Sequence, residues 1–506
     1  MRRMAATRQP TRMRIDGSRG DDGPSPRQGP WVEEVRSAAG CDVLAIAERF
    51  GDLPGLTVLE SARPGRRARW TYVAADPLAT VRGTGRPGAT FAPARDLLRR
   101  MTDTRAVRRA FEASGGPGGP PFTGGVVGYV GYDVGRELER IPTIAAGDQP
   151  LPPLSLALQD WVVAIDRRDG RILLCGRPVD GDGERLTARL ADVRARLASV
   201  PAGVVGARVP AAVPPPAVGA PRLFTSALDR DAFVARVERV REAIASGEIY
   251  QANLARRLEA PFAGDPWPLF GAIRAGDPAA FAAYLDLGPD PDSDSDARRA
   301  IVSASPEPFL SVDADGRVAS DPIKGTRPRG RTQDEDRALA AELLASDKDR
   351  AENVMIVDVL RNDLGRVCVP GSVAVPRLCR LERTEAVQHL VSTVVGRLAP
   401  GRDALDLLAA SFPGGSITGA PKIRAMQIIE ELEPVRRGPY CGTALWIGPD
   451  GAMGSSILIR TFVADGHRIT LHVGGGITRR SDPLAEWEET RVKARGPLRA
   501  IGAGEG

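Results

Sequence analysis

The chain has 506 residues, 42% of them apolar and 26% charged; that is enough for one large core or two to three ordinary ones, and it excludes disorder of the chain as a whole. No apolar run reaches the roughly 18 residues a bilayer span needs, and the start lacks the charged, apolar and small-residue order of a secretory leader, so no membrane partner and a cytoplasmic location are predicted. Most of the net charge of +5 sits in residues 1–30, which carry seven Arg against three Asp; the remainder is nearly neutral, which argues against nucleic acid as a partner.

Residues 1–30 are rich in Arg, Pro and Gly without apolar periodicity, and a disordered tail is predicted there. Over 31–200, short β-type runs (TVLES at 57–61, WTYVAA at 70–75) alternate with turns, and WVVAIDRRDGRILLCGR (161–177) has two β runs flanking a turn at RRDG. VPAGVVGARVPAAVPPPAVGAP (200–221) is apolar but broken by Pro and Gly, which forbids a packed helix and suits a linker over 201–221. The region 222–500 opens with a helix: Phe233, Val237, Val240 and Ile244 recur at helical spacing up to Gly247. PDPDSDSDARR (289–299) reads as a polar loop between strands. Further helices are predicted over 335–363 and 482–496, the second with Asp482 as N-cap and Pro483 at the first helical position. FPGGSITGAPKIRAM (412–426) is a Gly/Ser/Thr loop entering a helix, with Ile423, Met426 and Ile429 predicted on its inner side. Five cysteines lie far apart with no CxxC and only three histidines, so five reduced thiols are expected.

Two helical segments offer paired carboxylates. Asp349 and Glu352 are three apart on one, Glu486 and Glu489 three apart on the other, with Lys493 four beyond Glu489. Neighbours at these spacings share a helix face. Such pairs suit a hard cation such as Mg²⁺, which takes oxygen ligands and keeps room for water or substrate oxygens; helical salt bridging explains Glu489 and Lys493 equally well. Three successive glycines, Gly474, Gly475 and Gly476, follow a β-type run and let backbone approach a ligand closely, or form a tight turn. The 412–426 loop lacks the Walker spacing GxxxxGK[ST]. Only four of the 69 basic residues are lysines: Lys324, Lys348, Lys422 and Lys493.

The motifs GEIYQANLARR, SPEPFL, PIKGTRPRG, DRAENVMIVDVLRNDLG, VQHLVSTV, FPGGSITGAPK, RGPYCGTALW, ILIRTF, GGGI and EWEET run in order from residue 247 to 490. Together they resemble the chorismate-utilising enzymes, the family of anthranilate synthase component I, and most of all its aminodeoxychorismate synthase large-subunit branch. VLES (58–61) and GGVVGYVGYD (124–133) extend the resemblance to the amino-terminal half. The fold this implies is an α+β sandwich, two antiparallel β-sheets packed together with helices outside and a central cleft. By resemblance, Glu352 and Glu489 match Mg²⁺ ligands, with Glu486 and Asp349 acting through water. Tyr440 and Arg460 match residues holding the enolpyruvyl carboxylate, for which a planar guanidinium is suited. Gly325, Thr326, Ser416 and the three glycines match substrate contacts, and Lys493 a cation near the ring carboxylate and metal. His389 matches a histidine beside the ring, and Glu307 the general acid that protonates the departing hydroxyl.

The PIKGT lysine separates the branches. Anthranilate synthases resemble this stretch with Ala in place of Lys324, whereas aminodeoxychorismate synthases have a lysine that attacks the chorismate ring at C2; ammonia then adds at C4 and gives 4-amino-4-deoxychorismate, the precursor of p-aminobenzoate and folate. Only a free amine is nucleophilic, and deprotonating an ordinary lysine at pH 7 costs roughly 4–5 kcal/mol. SITGAPK also resembles the aminodeoxychorismate form, and Gln251 stands where isochorismate and salicylate synthases carry a lysine. No glutaminase segment is evident, so a separate glutamine amidotransferase subunit is expected to supply ammonia. Ser61 matches the serine of a tryptophan-binding motif, but DPAAFAAYL (277–285) lacks the PYM triplet of that pocket, which makes tryptophan feedback doubtful.

Overall fold

Long strands with alternating or continuous apolar runs build two large antiparallel sheets. The computed structural model describes residues 31–506 except 39, 64–67, 86–87, 102–118, 201–222, 291–295 and 385–386; the predicted tail and linker lie outside the described residues. The first sheet runs, in spatial order, Trp31–Glu34, Ile172–Gly176, Trp161–Asp166, Trp70–Ala74, Thr57–Glu60, Phe281–Pro289, Arg298–Ser305, Thr461–Asp465, Arg468–Ile477, Gln251–Pro261 and Gly419–Ala420. The second runs Ile323–Pro328, Val387–Arg397, Arg317–Ser320, Pro308–Val312, Met453–Ile457, Thr443–Ile447, Gly125–Val130, Leu154–Gln159 and Ala79–Val81, with Ala374–Arg383 also paired to Val387–Arg397. Both sheets combine a block of strands from before segment 201–222 with a block from after it. Thr57–Glu60 pairs directly with Phe281–Pro289, for instance.

The sheets meet through their inner faces. Tyr72, Val162 and Leu173 of the first pack with Val127 and Trp446 of the second, and Ala283 and Ile301 pack with Tyr129 and Ala444. On the outer face of the first sheet, Leu186 and Leu190 of helix Gly183–Ala198 and Leu498 of helix Pro483–Ala500 join one large core. Ile356, Leu360 and Leu364 of helix Asp347–Gly365 belong to the core of the second sheet. This is the predicted sandwich. Burying both faces explains why strands such as Trp161–Asp166 are apolar throughout instead of alternating. Among the described residues no helix is long and apolar enough to cross a membrane, and no disulfide joins any of the five cysteines.

Three sequence expectations change. The helix predicted over 335–363 is two helices, Gln333–Ala345 and Asp347–Gly365, separated at Ser346. Ser346 is extended (φ −69°, ψ 103°) and its hydroxyl accepts from Asp349 N, so an N-cap interrupts what apolar periodicity alone reads as continuous. The last helix runs on to Ala500 past Pro497. Ile423 was placed on the inner side of its helix, yet it is 42% exposed while Met426 and Ile429 are buried; it lies in the first turn of Lys422–Leu432, before the helix reaches the core.

Candidate active site

The predicted residues lie on strands Ile323–Pro328, Val387–Arg397 and Arg468–Ile477, on helices Asp347–Gly365 and Pro483–Ala500, and on the connecting segments that carry Glu307, Ser416, Tyr440 and Arg460. Lys324 lies on Ile323–Pro328, paired with Val387–Arg397 in a register that sets Thr326 opposite His389. Gly325, between them, has φ +75° and a Cβ there would lie 2.9 Å from both Asp349 Cβ and Leu343 Cδ1. Only glycine lets this strand lie so close to the two helices. Lys324 Nζ donates to Ser416 O at 3.1 Å. The same ammonium stabilises the charged forms of Glu307, Glu352 and Glu489, so carboxylates from three elements converge on it.

Burial pushes the Glu307 carboxyl above its ordinary value, against Lys324, a hydrogen bond with Ser416, and Lys493. A buried carboxyl beside an amine is an arrangement suited to general-acid work. His389 is held below the usual histidine value by burial and by Arg460, and its Nδ1 is 2.9 Å from the Thr326 hydroxyl. It is therefore the neutral imidazole at pH 7, facing the space that Arg460 also faces.

The two acidic helices meet over the glycine strand. Burial raises Glu352, and Asp349 and Glu486 raise it further while Lys324 and Lys348 oppose; Glu486 is raised by burial and by Glu489, against Ser481, Lys348 and Lys493. For Glu489, burial works upward but Lys493, 2.7 Å away, with Lys348 and Lys324, holds it below its ordinary value. Lys493 Nζ also donates to Gly474 O at 2.8 Å. A Cβ on Gly475 would sit 3.2 Å from Glu486 Oε2 and 3.3 Å from Glu489 Oε1, so the bare α-carbon leaves the carboxylates open space. The Asp349 carboxylate, which acts on Glu352, also accepts from Arg327 at 3.3 Å and packs on Gly325. Among the described residues no three His, Cys, Asp or Glu side chains are grouped tightly enough to hold a metal ion by themselves. The donor set of Glu352, Glu486 and Glu489 is all oxygen and mutually repulsive, which fits a hard divalent cation whose shell is completed by substrate or water.

Tyr440 and Arg460 are brought together by backbone. Cys441 N donates to Leu458 O at 2.8 Å and Leu458 N to Gly442 O at 2.9 Å, clipping the Tyr440 turn to the chain leading into Arg460. Arg460 adopts φ +51° and lies 3.7 Å from Asp277. Tyr440 is buried and stacked on His472, centroids 4.9 Å apart and planes within 10°. Gln251, buried against Gly476, has both amide atoms without a protein partner. Ser61 lies elsewhere. Its hydroxyl donates to Trp70 O at 2.9 Å, and it lines a cavity of about 1060 Å³ with Tyr72, Arg177, Phe281 and Trp446.

Sequence reasoning missed His472, Asp363 and the Glu433–Arg437 pair. Lys348 is exposed, and its charge acts on Glu352, Glu486 and Glu489. Glu433 and Arg437 lie past the end of helix Lys422–Leu432, with Pro434 between them, so no helical spacing marked the pair, and nothing local marked the stack or the partner of Lys422.

The sandwich and its clustered carboxylates are those of a family of enzymes: residues 58–499 match the chorismate binding enzymes. The chain belongs to that family. It is 45% identical over 390 residues to anthranilate synthase component 1 of Streptomyces coelicolor, covering 76% of this chain and 74% of the relative. Aminodeoxychorismate synthase component 1 of Salmonella typhimurium is 40% identical over 373 residues, covering 73% and 75%. The crystal structure of anthranilate synthase component I from Streptococcus pneumoniae superposes with a TM-score of 0.70 at 28% identity, covering 86% of this chain and 93% of that one.

Proposed function

We propose that this chain is the component of an aminodeoxychorismate synthase that aminates chorismate at C4, with ammonia delivered by a glutamine amidotransferase subunit. The observation that carries the reading is Lys324, an amine set among Glu307, Glu352 and Glu489 at the point where the family's motifs converge. The Lys324 amine forms a C–N bond at ring C2, both ring double bonds shift by one position (C1=C2 to C1=C6, C5=C6 to C4=C5), and the C4 hydroxyl departs as water with the proton from Glu307. Ammonia then bonds to C4, both double bonds return, and Lys324 leaves C2 as the free amine. Arg460 and Tyr440 hold the enolpyruvyl carboxylate, and the neutral His389 borders the ring. Two allylic displacements place nitrogen para, where direct attack of ammonia on C2 gives the ortho product.

Glu352 and Glu489, with Glu486 and Asp349 through water, are the residues proposed to hold Mg²⁺, which when bound would neutralise the ring carboxylate and polarise the substrate. A ligand that binds only the folded state raises its stability. Millimolar Mg²⁺ is therefore expected to raise the melting temperature of the wild-type protein by a few degrees, and to leave Glu352→Gln and Glu489→Gln unmoved. Equal shifts in all three would remove these residues from the metal site.

A second reading is anthranilate synthase component I, which the relatives named above support at least as well. The experiment that separates them is turnover of chorismate with ammonium and Mg²⁺, products resolved by chromatography and pyruvate followed by a coupled assay. The proposed activity gives 4-amino-4-deoxychorismate and no pyruvate. Stoichiometric anthranilate and pyruvate would replace it with the ortho reading.

A further inference from the structure

The Ser416 carbonyl that receives Lys324 lies in the loop 412–421, and that loop is gripped by two buried ion pairs. On one side Lys422 Nζ donates to Asp363 Oδ2 at 2.7 Å and to Ser411 O at 2.8 Å. On the other, the fully buried Arg437 donates to Ile417 O at 2.8 Å and Asn253 O at 2.6 Å and pairs with Glu433 at 2.7 Å. Thr418 Oγ1 donates to Gly414 O at 2.8 Å, and Asn253 N to Thr418 O at 2.7 Å. A Cβ on Gly415 would lie 2.8 Å from Val359 Cγ1, so the loop is seated directly on helix Asp347–Gly365. That helix carries Glu352 and Asp363 eleven residues apart, about 16 Å along its axis. Asn353 of the same helix donates to Leu390 O at 3.2 Å and accepts from Ser392, fastening it to the strand of His389.

We propose that Lys422 and Asp363 are a positioning pair, which fixes the Ser416 loop on the carboxylate helix and thereby sets where the Lys324 amine and the Glu307 carboxyl stand relative to Glu352. The inference rests on the reading of Lys324 as the reacting group. Burial lowers the Lys422 ammonium and raises the Asp363 carboxyl, so each charge is held at a desolvation cost. A pair of this kind returns little net stability compared with an apolar replacement. What it does provide is one defined register between loop and helix.

Single variants leave one buried charge without its partner and are prone to unfold, so the decisive protein is the double variant Lys422→Met/Asp363→Leu, in which both charges are removed. Expected are a folded protein by circular dichroism, a chorismate KM within about twofold of wild type, and a kcat lowered about tenfold to a hundredfold, the scale of a misplacement near 1 Å. In a single turnover without ammonium, mass spectrometry is expected to find less substrate bound to Lys324 by the same factor. A folded double variant with wild-type kcat overturns the proposal; so does one that does not fold, since the pair is then a structural requirement. Undiminished para amination by Lys324→Ala would instead overturn the Lys324 reading, while a kcat loss at constant KM in the double variant would still uphold the pair through Ser416 and Glu307.

Discussion

Lys324→Ala is expected to lower formation of 4-amino-4-deoxychorismate by about a thousandfold or more, the scale on which removal of a nucleophile acts. The folded state loses little: Lys324 is only partly buried and its hydrogen bond to Ser416 O is worth about 1 kcal/mol. Lys324→Arg should be as inactive as the alanine variant, because a guanidinium keeps its proton at workable pH and offers no lone pair. A purely electrostatic role would let arginine retain much of the rate, so the pair of variants separates charge from nucleophilicity. Residual turnover in Lys324→Ala is expected to carry nitrogen at C2, since ammonia then meets the ring without a prior displacement. Measurement is by chromatography of both aminated products over a single-turnover time course; full para amination by either variant would end the covalent role.

The catalytic half of the fold was readable from its motifs because each places side chains with a chemical task at fixed offsets: Lys324 with Thr326, Glu486 with Glu489, Gly474 with its two neighbours. Sheet order was not. Whether Thr57–Glu60 pairs with Phe281–Pro289 depends on contacts more than 200 residues apart, and local periodicity is silent about them. The Ser346 break was available in the letters, since S-D-K-D is an N-cap followed by acids, but the apolar spacing across it ran the other way. Asp349 shows a different limit. Its spacing from Glu352 put it on the acidic face, and only the fold brings Arg327 to it from a neighbouring strand. Lys422 was noted as a rare lysine without a task; its partner Asp363 is 59 residues away, and the reason for an ammonium there became visible only with both helices in place.

Glu307→Gln is expected to lower kcat by about 10²- to 10⁴-fold, the usual contribution of a positioned proton donor. The amide keeps the shape and can still hydrogen-bond Ser416, so the loss isolates the proton. The sign of the pH dependence follows from burial, which raises Glu307 above its ordinary 4.5. Its acid form therefore persists to higher pH than a free glutamate's, and kcat should fall as pH rises through the raised value. In Glu307→Gln that limb should vanish. Stability moves the same way with pH. A carboxyl whose folded value is raised binds its proton more tightly in the folded state, so it withdraws stability as pH climbs from 4.5 through the raised value. The neutral amide does not titrate, and Glu307→Gln should melt at or above the wild-type temperature at pH 7 while nearly inactive. A variant that lost both stability and rate would make Glu307 a structural partner of Lys324; one that kept its rate would move the proton donor to another group.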